Sequence, residues 1–280
     1  MRIEIICPLY NAEKYILNLN NSLLMQKKVN IEKITYILTE SNDNTEKIMK
    51  DNNIKYDKIK REEFSHSLTR EKAAFKSKSD IIVFITQDVV IQDDKWLFKL
   101  TKPIIDKNVA ETYSRQVSKY DNIEKYTREK NYPNYSIIKT KDKIDKYGLN
   151  TFFSSDAACA IKTDVFKKLN GYDNKDLPLS EDMYFSYKLI QNGYKIKYCA
   201  SSVVYHSHNF SLKELYDRYK LTGKFFKQNS YLDNYKTNES GMKLAIYIFK
   251  SALKEKNIKV LCRFPFDMAA RFIGMKVGKL

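Results

Sequence analysis

The chain has 280 residues, of which 43% are hydrophobic, enough to build a core and to exclude a disordered protein. Its formal net charge of +16 at pH 7 predicts an anionic partner: nucleic acid, an anionic membrane surface or a phosphate-bearing substrate. The four cysteines have no paired spacing, which favours a reducing compartment. There is no signal-peptide pattern, and no apolar run approaches the ~18 residues of a membrane span, so we expect a soluble or peripheral protein.

Strand and helix alternate along the first part of the chain. Short apolar runs predict buried strands at Ile3–Cys7, Ile34–Leu38 and Asp80–Ile85. Helices are expected over Asn11–Lys27, from about Asn44, and after a cap at Ser65 or Ser67. This alternation is typical of an α/β fold with a doubly wound sheet, in which ligands bind beyond the carboxyl ends of the strands. The informative residues are therefore those that follow the strands.

The second part of the chain has a more mixed pattern. Strands are expected at Val109–Tyr113 and Ala157–Ile161, and a helix over Glu181–Asn192 that ends at Gly193. Two further strands are expected at Lys195–Tyr198 and Val203–Tyr205. After His208 the chain becomes helical and basic. We predict a catalytic domain over residues 1–210, with halves of about 1–110 and 111–210, and a helical extension over 211–280.

A carboxylate follows the strongest predicted strand, in Thr86-Gln87-Asp88. At the ligand edge of the sheet it would hold a divalent cation against a diphosphate. The alternative is a loop aspartate that caps the next turn.

Two acidic residues open a predicted helix in Leu179-Ser180-Glu181-Asp182. Either would serve as a general base that takes a proton from an attacking hydroxyl. The alternative is an ordinary helix start, with Ser180 as the N-cap and acidic residues that complement the helix dipole. The dipole would lower the pKa of such a base, and burial would have to offset this effect. The sequence does not separate Asp182 from Glu181.

The three histidines lie in two further motifs. In Tyr205-His206-Ser207-His208 the two rings point to one side of an extended segment, which suits contact with a metal or a phosphate; a surface histidine pair is the alternative. The stretch from Phe64 to Arg70 contains His66 and opens a helix whose N-terminus would bind phosphate with help from Arg70. The alternative there is a capped helix with a solvated arginine.

Taken in order, these motifs resemble family 2 nucleotide-sugar glycosyltransferases of the GT-A fold. Cys7-Pro8-Leu9-Tyr10-Asn11 resembles the family's start, and Glu40-Ser41-Asn42-Asp43-Asn44-Thr45 resembles its second-strand turn, which contacts the nucleotide. Thr86-Gln87-Asp88 stands in place of the Asp-x-Asp metal motif. Gly171-Tyr172-Asp173 followed by Glu181-Asp182 resembles the acceptor-side loop and the catalytic pair.

Thr-Gln-Asp itself, the stretch from Phe64 to Arg70, and His206-Ser207-His208 followed by Ser211-Leu212 and Arg218-Tyr219 are similar to the rhamnosyltransferase branch. The resemblance covers roughly residues 1 to 228, with a looser match in residues 270–274. The chain departs from the pattern at Thr86, at Glu40 where aspartate is usual, and at Asp156 where asparagine is frequent.

The resemblance implies a Rossmann-like mixed sheet flanked by helices, with a basic helical C-terminal region. It implies inverting transfer, from dTDP-rhamnose or a similar nucleotide sugar, to a saccharide or polyprenyl-linked saccharide of bacterial surface polysaccharides. Asp182 or Glu181 would be the base, Asp88 would hold Mg²⁺ or Mn²⁺ with His206 or His208, and Asp156 and Tyr172 would bind the acceptor. The implied donor-binding residues are Pro8, Tyr10, Asn11, Glu40, Asp43, His66, Arg70 and Gln87.

Several alternatives remain open in the sequence. Apolar and cationic stretches alternate over residues 243–280, which favours either an anionic membrane on the cytoplasmic side, or a helical flap or homodimer contact. Thr86 leaves room for a non-catalytic, glycosyltransferase-like subunit. A nucleic-acid-binding protein would explain the charge and the 21 tyrosines, but carboxylates after the strands would repel phosphates, so we expect no nucleic acid. With seven glycines and no Gly-rich loop, Rossmann dehydrogenases and P-loop enzymes are disfavoured.

Overall fold

The computed structural model describes residues 1–105, 108–235 and 237–280. The strands are β1 (Arg2–Leu9), β2 (Asn30–Thr39), β3 (Tyr56–Ile59), β4 (Ile81–Ile85), β5 (Val109–Val117), β6 (Ile137–Lys139), β7 (Ala158–Lys162) and β8 (Lys195–Tyr205). The helices are α1 (Ile16–Leu24), α2 (Thr45–Asp51), α3 (His66–Lys76), α4 (Trp96–Thr101), α5 (Ile123–Asn131), α6 (Ile144–Tyr147), α7 (Thr163–Lys168), α8 (Glu181–Gln191), α9 (Leu212–Gln228), α10 (Thr237–Lys254) and α11 (Ile258–Lys279).

The strands form one sheet in the order β3-β2-β1-β4-β7-β5-β8-β6. β1 is parallel to β2 and to β4, and β2 is parallel to β3. β7 is antiparallel to both β4 and β5, and β6 is antiparallel to β8. The sheet is therefore mixed, as the resemblance predicts, with its parallel half built from the N-terminal part of the chain.

The described chain divides into two compact units. The first contains Met1–Arg115, Asn134–Lys141 and Phe152–His206, and it holds most of the sheet. The second contains Gln116–Pro133, Asp142–Thr151 and Ser207–Leu280, and it is helical. Two segments from the middle of the sequence thus fold with the C-terminal helices.

The central strands of the first unit fix the positions of the residues that follow them. Every residue of β4 is buried, as are five consecutive residues of β1, Ile3 to Cys7. Near-continuous apolar strands of this kind are expected where both faces of a parallel sheet are covered. Each fully buried valine, isoleucine or phenylalanine side chain of these strands stabilises the fold by ~1.5–3 kcal/mol. The loops after β1 and β4 therefore start from rigid positions.

Three strand predictions differ from the structure. β3 and β6 were not expected, because both are short and carry charged or exposed residues rather than an apolar run. β8 is one continuous strand where two were expected. Its middle is small and polar, but Ser202 is fully buried and its hydroxyl donates to the carbonyl of Trp96 at 3.2 Å. The strand thus continues through a stretch without strand-like sequence, and this hydrogen bond satisfies its buried serine.

In the second unit, three glycines bring α9 and α11 into backbone contact. A Cβ at Gly278 would lie 2.1 Å from the carbonyl oxygen of Lys220, and one at Gly274 would lie 2.5 Å from that of Tyr216. From the α9 side, a Cβ at Gly223 would meet a backbone carbonyl of α11 at 2.4 Å. Only glycine fits at these positions, so the register of the two helices is fixed. No helix among the described residues is both long and apolar enough to cross a membrane.

Candidate active site

The loops after β1 and β4 are joined by one side chain, Gln87. Its amide oxygen accepts from the backbone N–H of Tyr10 at 2.8 Å, and its amide nitrogen donates to the carbonyl of Tyr10 at 2.8 Å. The guanidinium of Arg61 lies 5.4 Å from the centre of the Tyr10 ring, within cation–π range. Gln87 therefore fixes the end of β1, and both polar ends of its amide are used in doing so.

The loops after β1 and β2 are held together in the same way, by side chains that accept from backbone N–H groups. The N–H of Asn11 donates to Ser41 at 3.0 Å, and that of Ala12 donates to Thr45 at 2.7 Å. Asn11 has a φ of 49°, the left-handed region in which asparagine is better tolerated than most residues. Pro8 is half-buried at the end of β1, and Glu40 is exposed at the end of β2.

Asp43 also joins these two loops, as a negatively charged hydrogen-bond acceptor. Its carboxylate accepts from the N–H of Glu13 at 3.0 Å and from the hydroxyl of Thr45 at 2.6 Å. Burial by itself would raise the pKa of Asp43, but the hydrogen bonds from Thr45 and Glu13 outweigh it, and the pKa lies below its usual value. We call residues 8–13, 40–45 and 86–88 the strand-end loops.

Asp88 and His206 meet because the end of β8 pairs with the loop after β4. Val90 and Tyr205 exchange two backbone hydrogen bonds, of 3.0 and 2.9 Å. This pairing places Nε2 of His206 3.3 Å from Oδ2 of Asp88. His206 is buried and Asp88 is half-buried. His208 follows two residues later in the chain, a separation that spans at most about 7 Å, although it clusters with the second unit.

The carboxylate of Asp88 and the imidazole of His206 form a set of ligands that fits a divalent cation. Carboxylate oxygen suits Mg²⁺ and Mn²⁺, and imidazole nitrogen is a ligand for transition metals, so the mixed set favours Mn²⁺ over Mg²⁺. The place of the first carboxylate of an Asp-x-Asp motif is taken by Thr86. Its hydroxyl is buried and has no hydrogen-bond partner among the described residues. The Thr86 hydroxyl therefore supplies this loop with a further oxygen atom, either as a ligand for the cation or as a hydrogen-bond donor.

Helix α3 begins at a serine cap that is tied to a distant loop. Ser65, not Ser67, is the N-cap: its hydroxyl accepts from the N–H of Leu68 at 3.2 Å and donates to Asp176 at 2.6 Å. Ser67 donates to the carbonyl of Lys175 at 2.6 Å and accepts from the N–H of Leu177 at 2.8 Å. The start of α3 is thereby fixed against the segment that leads into α8.

Arg70 of α3 is buried, with 3% of its surface exposed, so the alternative of a solvated arginine is wrong. Its guanidinium donates to the carbonyl of His66 at 2.7 Å and lies 3.4 Å from a carboxylate oxygen of Glu181. Glu181 is itself buried. The imidazole of His66 is exposed and makes an edge contact with the ring of Phe64. The helix therefore directs its arginine inward, at the catalytic pair predicted from the sequence.

The loop before α8 is shaped by left-handed backbone and by one buried carboxylate. Gly171 has a φ of 43°, and a Cβ there would lie 2.7 Å from the carboxylate of Glu71. That carboxylate accepts from the N–H of Tyr172 at 2.6 Å. Asp173 has a φ of 58° and accepts from Lys188 of α8 at 2.6 Å. These contacts join the loop to both α3 and α8.

Asp156 and Tyr172, which the resemblance assigns to the acceptor, are buried and bonded to each other. The hydroxyl of Tyr172 donates to Asp156 at 2.6 Å, and the thiol of Cys159 donates to the other oxygen at 3.2 Å. Burial, and next the charge of Glu181, raise the pKa of Asp156 to about 6, against the opposing charge of Arg70.

The helix that carries the acidic pair begins at the predicted N-cap residue, Ser180, but without a side-chain cap. Ser180 is left-handed, with a φ of 66°, and its side chain accepts from no N–H group of the helix. For a residue other than glycine this conformation costs ~1–2 kcal/mol, and such strain clusters at functional sites. The turn places Glu181 inside and Asp182 half-buried beside it.

The pKa of Asp182 is raised well above its usual value. Burial is the largest cause, followed by the negative charges of Glu181 and Asp156, while the N–H of Met183 acts in the opposite direction. The helix start would by itself lower this pKa, so burial and like charge decide the outcome. We call Asp156, Glu181 and Asp182 the acid cluster.

Behind the acid cluster lies a buried carboxylate that the sequence reasoning missed. Glu111 of β5 accepts from the hydroxyl of Ser154 and, at 3.1 Å, from that of Ser186 on α8. Burial raises the pKa of Glu111 to about 8. Burial also lowers the pKa of Lys139 to about 7, and its ammonium group donates to the carbonyl of Phe153 at 2.5 Å. The sequence carried one signal of this buried carboxylate: Glu111 is a charged residue inside the predicted strand Val109–Tyr113.

The predicted site residues of the first unit thus converge on one edge of its sheet. The N–H of Thr86 donates to the carbonyl of Ala157 at 3.1 Å, which joins the strand-end loops to the acid cluster. The buried thiol of Cys7, whose pKa burial raises to about 12, lies within reach of the charges of both Arg70 and Asp88. Carboxylates of two kinds, those with a lowered pKa and those with a raised pKa, therefore share the ligand edge of the sheet.

The sequence matches the family described as glycosyl transferase family 2 over residues 4–170. It is 32% identical over 284 residues to the O-antigen chain rhamnosyltransferase RfbN of Salmonella typhimurium, covering 100% of this chain and 90% of that protein. It is 34% identical over 221 residues to the O-antigen chain rhamnosyltransferase WbaN of Salmonella anatum, covering 78% of this chain and 70% of that protein.

The fold is similar to that of the mannosyltransferase PcManGT from Pyrobaculum calidifontis, solved in complex with GDP-Man and Mn²⁺. The TM-score is 0.64 at 13% identity, covering 99% of this chain and 86% of that chain. At this identity the likeness concerns the fold alone, and it confirms the GT-A type mixed sheet. Because the family match spans more than half of the sequence and the match to RfbN spans all of it, the chain belongs to glycosyl transferase family 2 and is a nucleotide-sugar-dependent glycosyltransferase.

Proposed function

We propose that the protein transfers rhamnose from dTDP-rhamnose, with inversion, to a saccharide or polyprenyl-linked saccharide in the synthesis of a bacterial surface polysaccharide. The observation that carries the proposal is the acid cluster: a half-buried carboxylate with a raised pKa, at the ligand edge of a GT-A sheet. The choice of rhamnose is supported by the two relatives, both named O-antigen chain rhamnosyltransferases, at 32% and 34% identity.

Asp182 is the proposed base. The acceptor oxygen would form its bond to the anomeric carbon while the bond from that carbon to the diphosphate oxygen breaks. The acceptor proton would pass to Asp182, and the bonding electron pair would leave with the nucleoside diphosphate. A carboxylate with a raised pKa takes up a proton more readily, and positioned bases of this kind contribute ~10² to 10⁴-fold to the rate.

Glu181 is proposed as a positioning residue rather than the base. Its carboxylate is buried and lies 3.4 Å from the guanidinium of Arg70, so it is already paired. Arg70, assigned to the donor on the basis of the resemblance, would then act by holding Glu181. The charge of Glu181 in turn raises the pKa of Asp182.

Asp156, Tyr172 and Gln87 are also proposed as supporting residues. Asp156 and Tyr172 are buried and bonded to each other, which leaves them no free surface for an acceptor. Gln87 uses both ends of its amide on Tyr10. Direct contact with the donor would fall instead to the outer surface of the strand-end loops.

We propose that Pro8, Tyr10, Asn11, Glu40 and Asp43 of these loops complete the donor site, together with the exposed His66 at the start of α3.

Asp88 and His206 are proposed to hold Mn²⁺ or Mg²⁺, with His208 as a further ligand. The bound cation would stabilise the negative charge that develops on the leaving diphosphate. The position of Asp88 relative to His206 is set by the pairing of Val90 with Tyr205 and does not depend on the acid cluster.

We place the reaction on the cytoplasmic side of the cell membrane. The support is the state of the cysteines: Cys7, Cys159, Cys199 and Cys262 are all free thiols, and three of the four are buried. Free thiols in these numbers suit a reducing compartment.

Turnover across a panel of nucleotide sugars tests the proposal, with and without Mn²⁺ or Mg²⁺. Metal-stimulated turnover of dTDP-rhamnose in the wild type, lost in Asp182→Asn, is the expected result. Preference for another donor would contradict the choice of rhamnose and retain the mechanism. Absence of binding to every nucleotide sugar would contradict the catalytic assignment and favour a non-catalytic subunit.

A further inference from the structure

Helix α10 has an apolar stripe on its outer side. Met242, Ile246, Phe249 and Leu253 follow one another at intervals of four, three and four residues, so they share one face of the helix. Each has between 46% and 65% of its surface exposed. The opposite side of α10 faces inward, where Ile248 and Ala252 belong to the core of the second unit. The stripe is therefore additional to the apolar residues that the fold needs.

Helix α11 also exposes large apolar side chains. Phe266, Phe272 and Ile273 each have between 52% and 62% of their surface exposed, and Phe266 and Ile273, seven residues apart, share one face of the helix. The inner side is fixed by the close contact of Gly274 and Gly278 with α9. Because this contact sets the rotation of α11 about its own axis, the apolar residues cannot turn inward. Exposed apolar patches of this kind mark interaction surfaces.

The charge around the two stripes is strongly positive. From Gly241 to the C-terminus the chain has nine lysines and arginines and two acidic residues. Both acidic residues are engaged: Glu255 with Lys125 at 2.6 Å, and Asp267 with Arg263 at 3.0 Å. Exposed lysines, such as Lys250, stand beside the stripes. The surface thus combines apolar side chains with a positive field.

We propose that the outer faces of α10 and α11 bind the surface of an anionic lipid bilayer. Apolar residues would enter the boundary between headgroups and acyl chains, and the lysines would contact the headgroups. Charge complementarity selects this occupant. A second copy of the chain would bring the same excess of lysine and arginine to this face, and nucleic acid would leave the aliphatic Met242, Ile246 and Leu253 without a partner.

The surface is suited to lying on a bilayer rather than crossing it, since no helix in the described ranges is long and apolar enough to span one. The proposal gives the glycosyltransferase a location beside lipid-linked acceptors, but it does not rest on the donor or on the mechanism. Binding to lipid is measured without sugar, so its failure and that of the proposed reaction are separate results.

Co-sedimentation of the full chain with lipid vesicles tests the proposal. We expect binding to vesicles of phosphatidylcholine with phosphatidylglycerol, weaker binding to phosphatidylcholine alone, and release at about 1 M salt, where charges are screened within ~3 Å. Replacing Phe272 and Ile273 by serine is expected to lower the partition coefficient about tenfold. Replacing Lys250 and Lys254 by glutamine is expected to lower it about fivefold per lysine.

Leu24→Ser with Met25→Ser is the matched control, because these side chains are at least as exposed as Phe272 and Ile273 but lie in the first unit. The control variant is expected to bind vesicles like the wild type. Circular dichroism establishes that each variant is folded.

Three results would overturn the proposal. One is equal binding by the wild type and the Phe272 and Ile273 variant. Another is a dimer in light scattering that this variant dissociates, with no binding to vesicles, which would assign the surface to self-association. A third is salt-sensitive binding to RNA together with no affinity for anionic vesicles.

Discussion

The strand-end loops and the acid cluster contain the same residue types in opposite environments. In the loops, Asp43 is surrounded by N–H and hydroxyl donors, and these outweigh its partial burial and lower its pKa. In the cluster, burial and next the charge of Glu181 raise the pKa values of both Asp156 and Asp182. Hydrogen-bond donors keep a carboxylate ionised as a structural acceptor, whereas burial among like charges raises its pKa, as the role of base that we propose for Asp182 requires.

The largest effect is expected from the acid cluster, at Asp182. In Asp182→Asn the side chain keeps its size but cannot take a proton, so kcat should fall ~10² to 10⁴-fold. The dissociation constant of the donor should remain near that of the wild type, because the strand-end loops are untouched. Single-turnover kinetics and donor titration measure the two quantities. Asp51→Asn, an exposed carboxylate, is the control, and an equally large loss of donor affinity in Asp182→Asn would contradict the separation of the two regions.

The next largest effect concerns Asp88, the proposed metal ligand in the loops. Asp88→Asn removes the carboxylate that faces His206 at 3.3 Å and should weaken Mn²⁺ binding by at least about 10- to 100-fold, the cost of losing a residue that only supports a ligand. Calorimetric titration of Mn²⁺ without any sugar donor gives this number directly. Asp57→Asn, on the exposed edge strand, should bind the ion like the wild type. Undiminished affinity in Asp88→Asn would place the metal elsewhere.

A smaller effect is expected from the support of the loops. Gln87→Ala removes two hydrogen bonds to Tyr10, each worth about 0.5–1.5 kcal/mol, and loosens the end of β1. The Michaelis constant of the donor should rise about tenfold, with kcat much less affected. A fall in kcat at constant Michaelis constant would show that Gln87 acts on the chemical step instead.

The smallest effect is a shift in pH dependence. The ionised carboxylate of Asp156 raises the pKa of Asp182, so Asp156→Asn should lower it. A base works when it is deprotonated, and the acidic limb of the kcat/KM profile should therefore move to lower pH. Because the pKa of Asp156 is about 6, its charge is present above that pH, and the shift should be visible there. An acidic limb that stays in place, or moves to higher pH, would contradict the coupling.

Much of the first unit could be predicted from the sequence, because its strands are apolar and are followed by distinctive polar residues. Ile81–Ile85 is an example: five apolar residues in a row leave little choice but a buried strand, and Asp88 then falls at the ligand edge. β3 could not be found in this way, since Tyr56–Ile59 carries two charged residues and owes its pairing to the neighbouring β2.

Within the site, the residue types could be predicted but their partners could not. Glu181 and Asp182 could be placed together on a helix start, yet no local pattern indicated the left-handed turn at Ser180 that precedes them. Glu111 was missed because its hydroxyl partners, Ser154 and Ser186, lie 43 and 75 residues away in the chain. Contacts over such distances follow from the packing of the sheet and leave no local pattern.

The three glycines between α9 and α11 have a consequence for how this sequence can diverge. A single methyl group at Gly223, Gly274 or Gly278 would meet a backbone carbonyl carbon or oxygen that cannot move aside, so these positions have no neutral alternatives. The outward residues of α11 meet no such obstacle, and one apolar side chain can replace another there. Sequences that descend from this one should therefore keep the three glycines, while the apolar residues of the outer face change. The spacing of the glycines, rather than the apolar residues themselves, would identify the lineage.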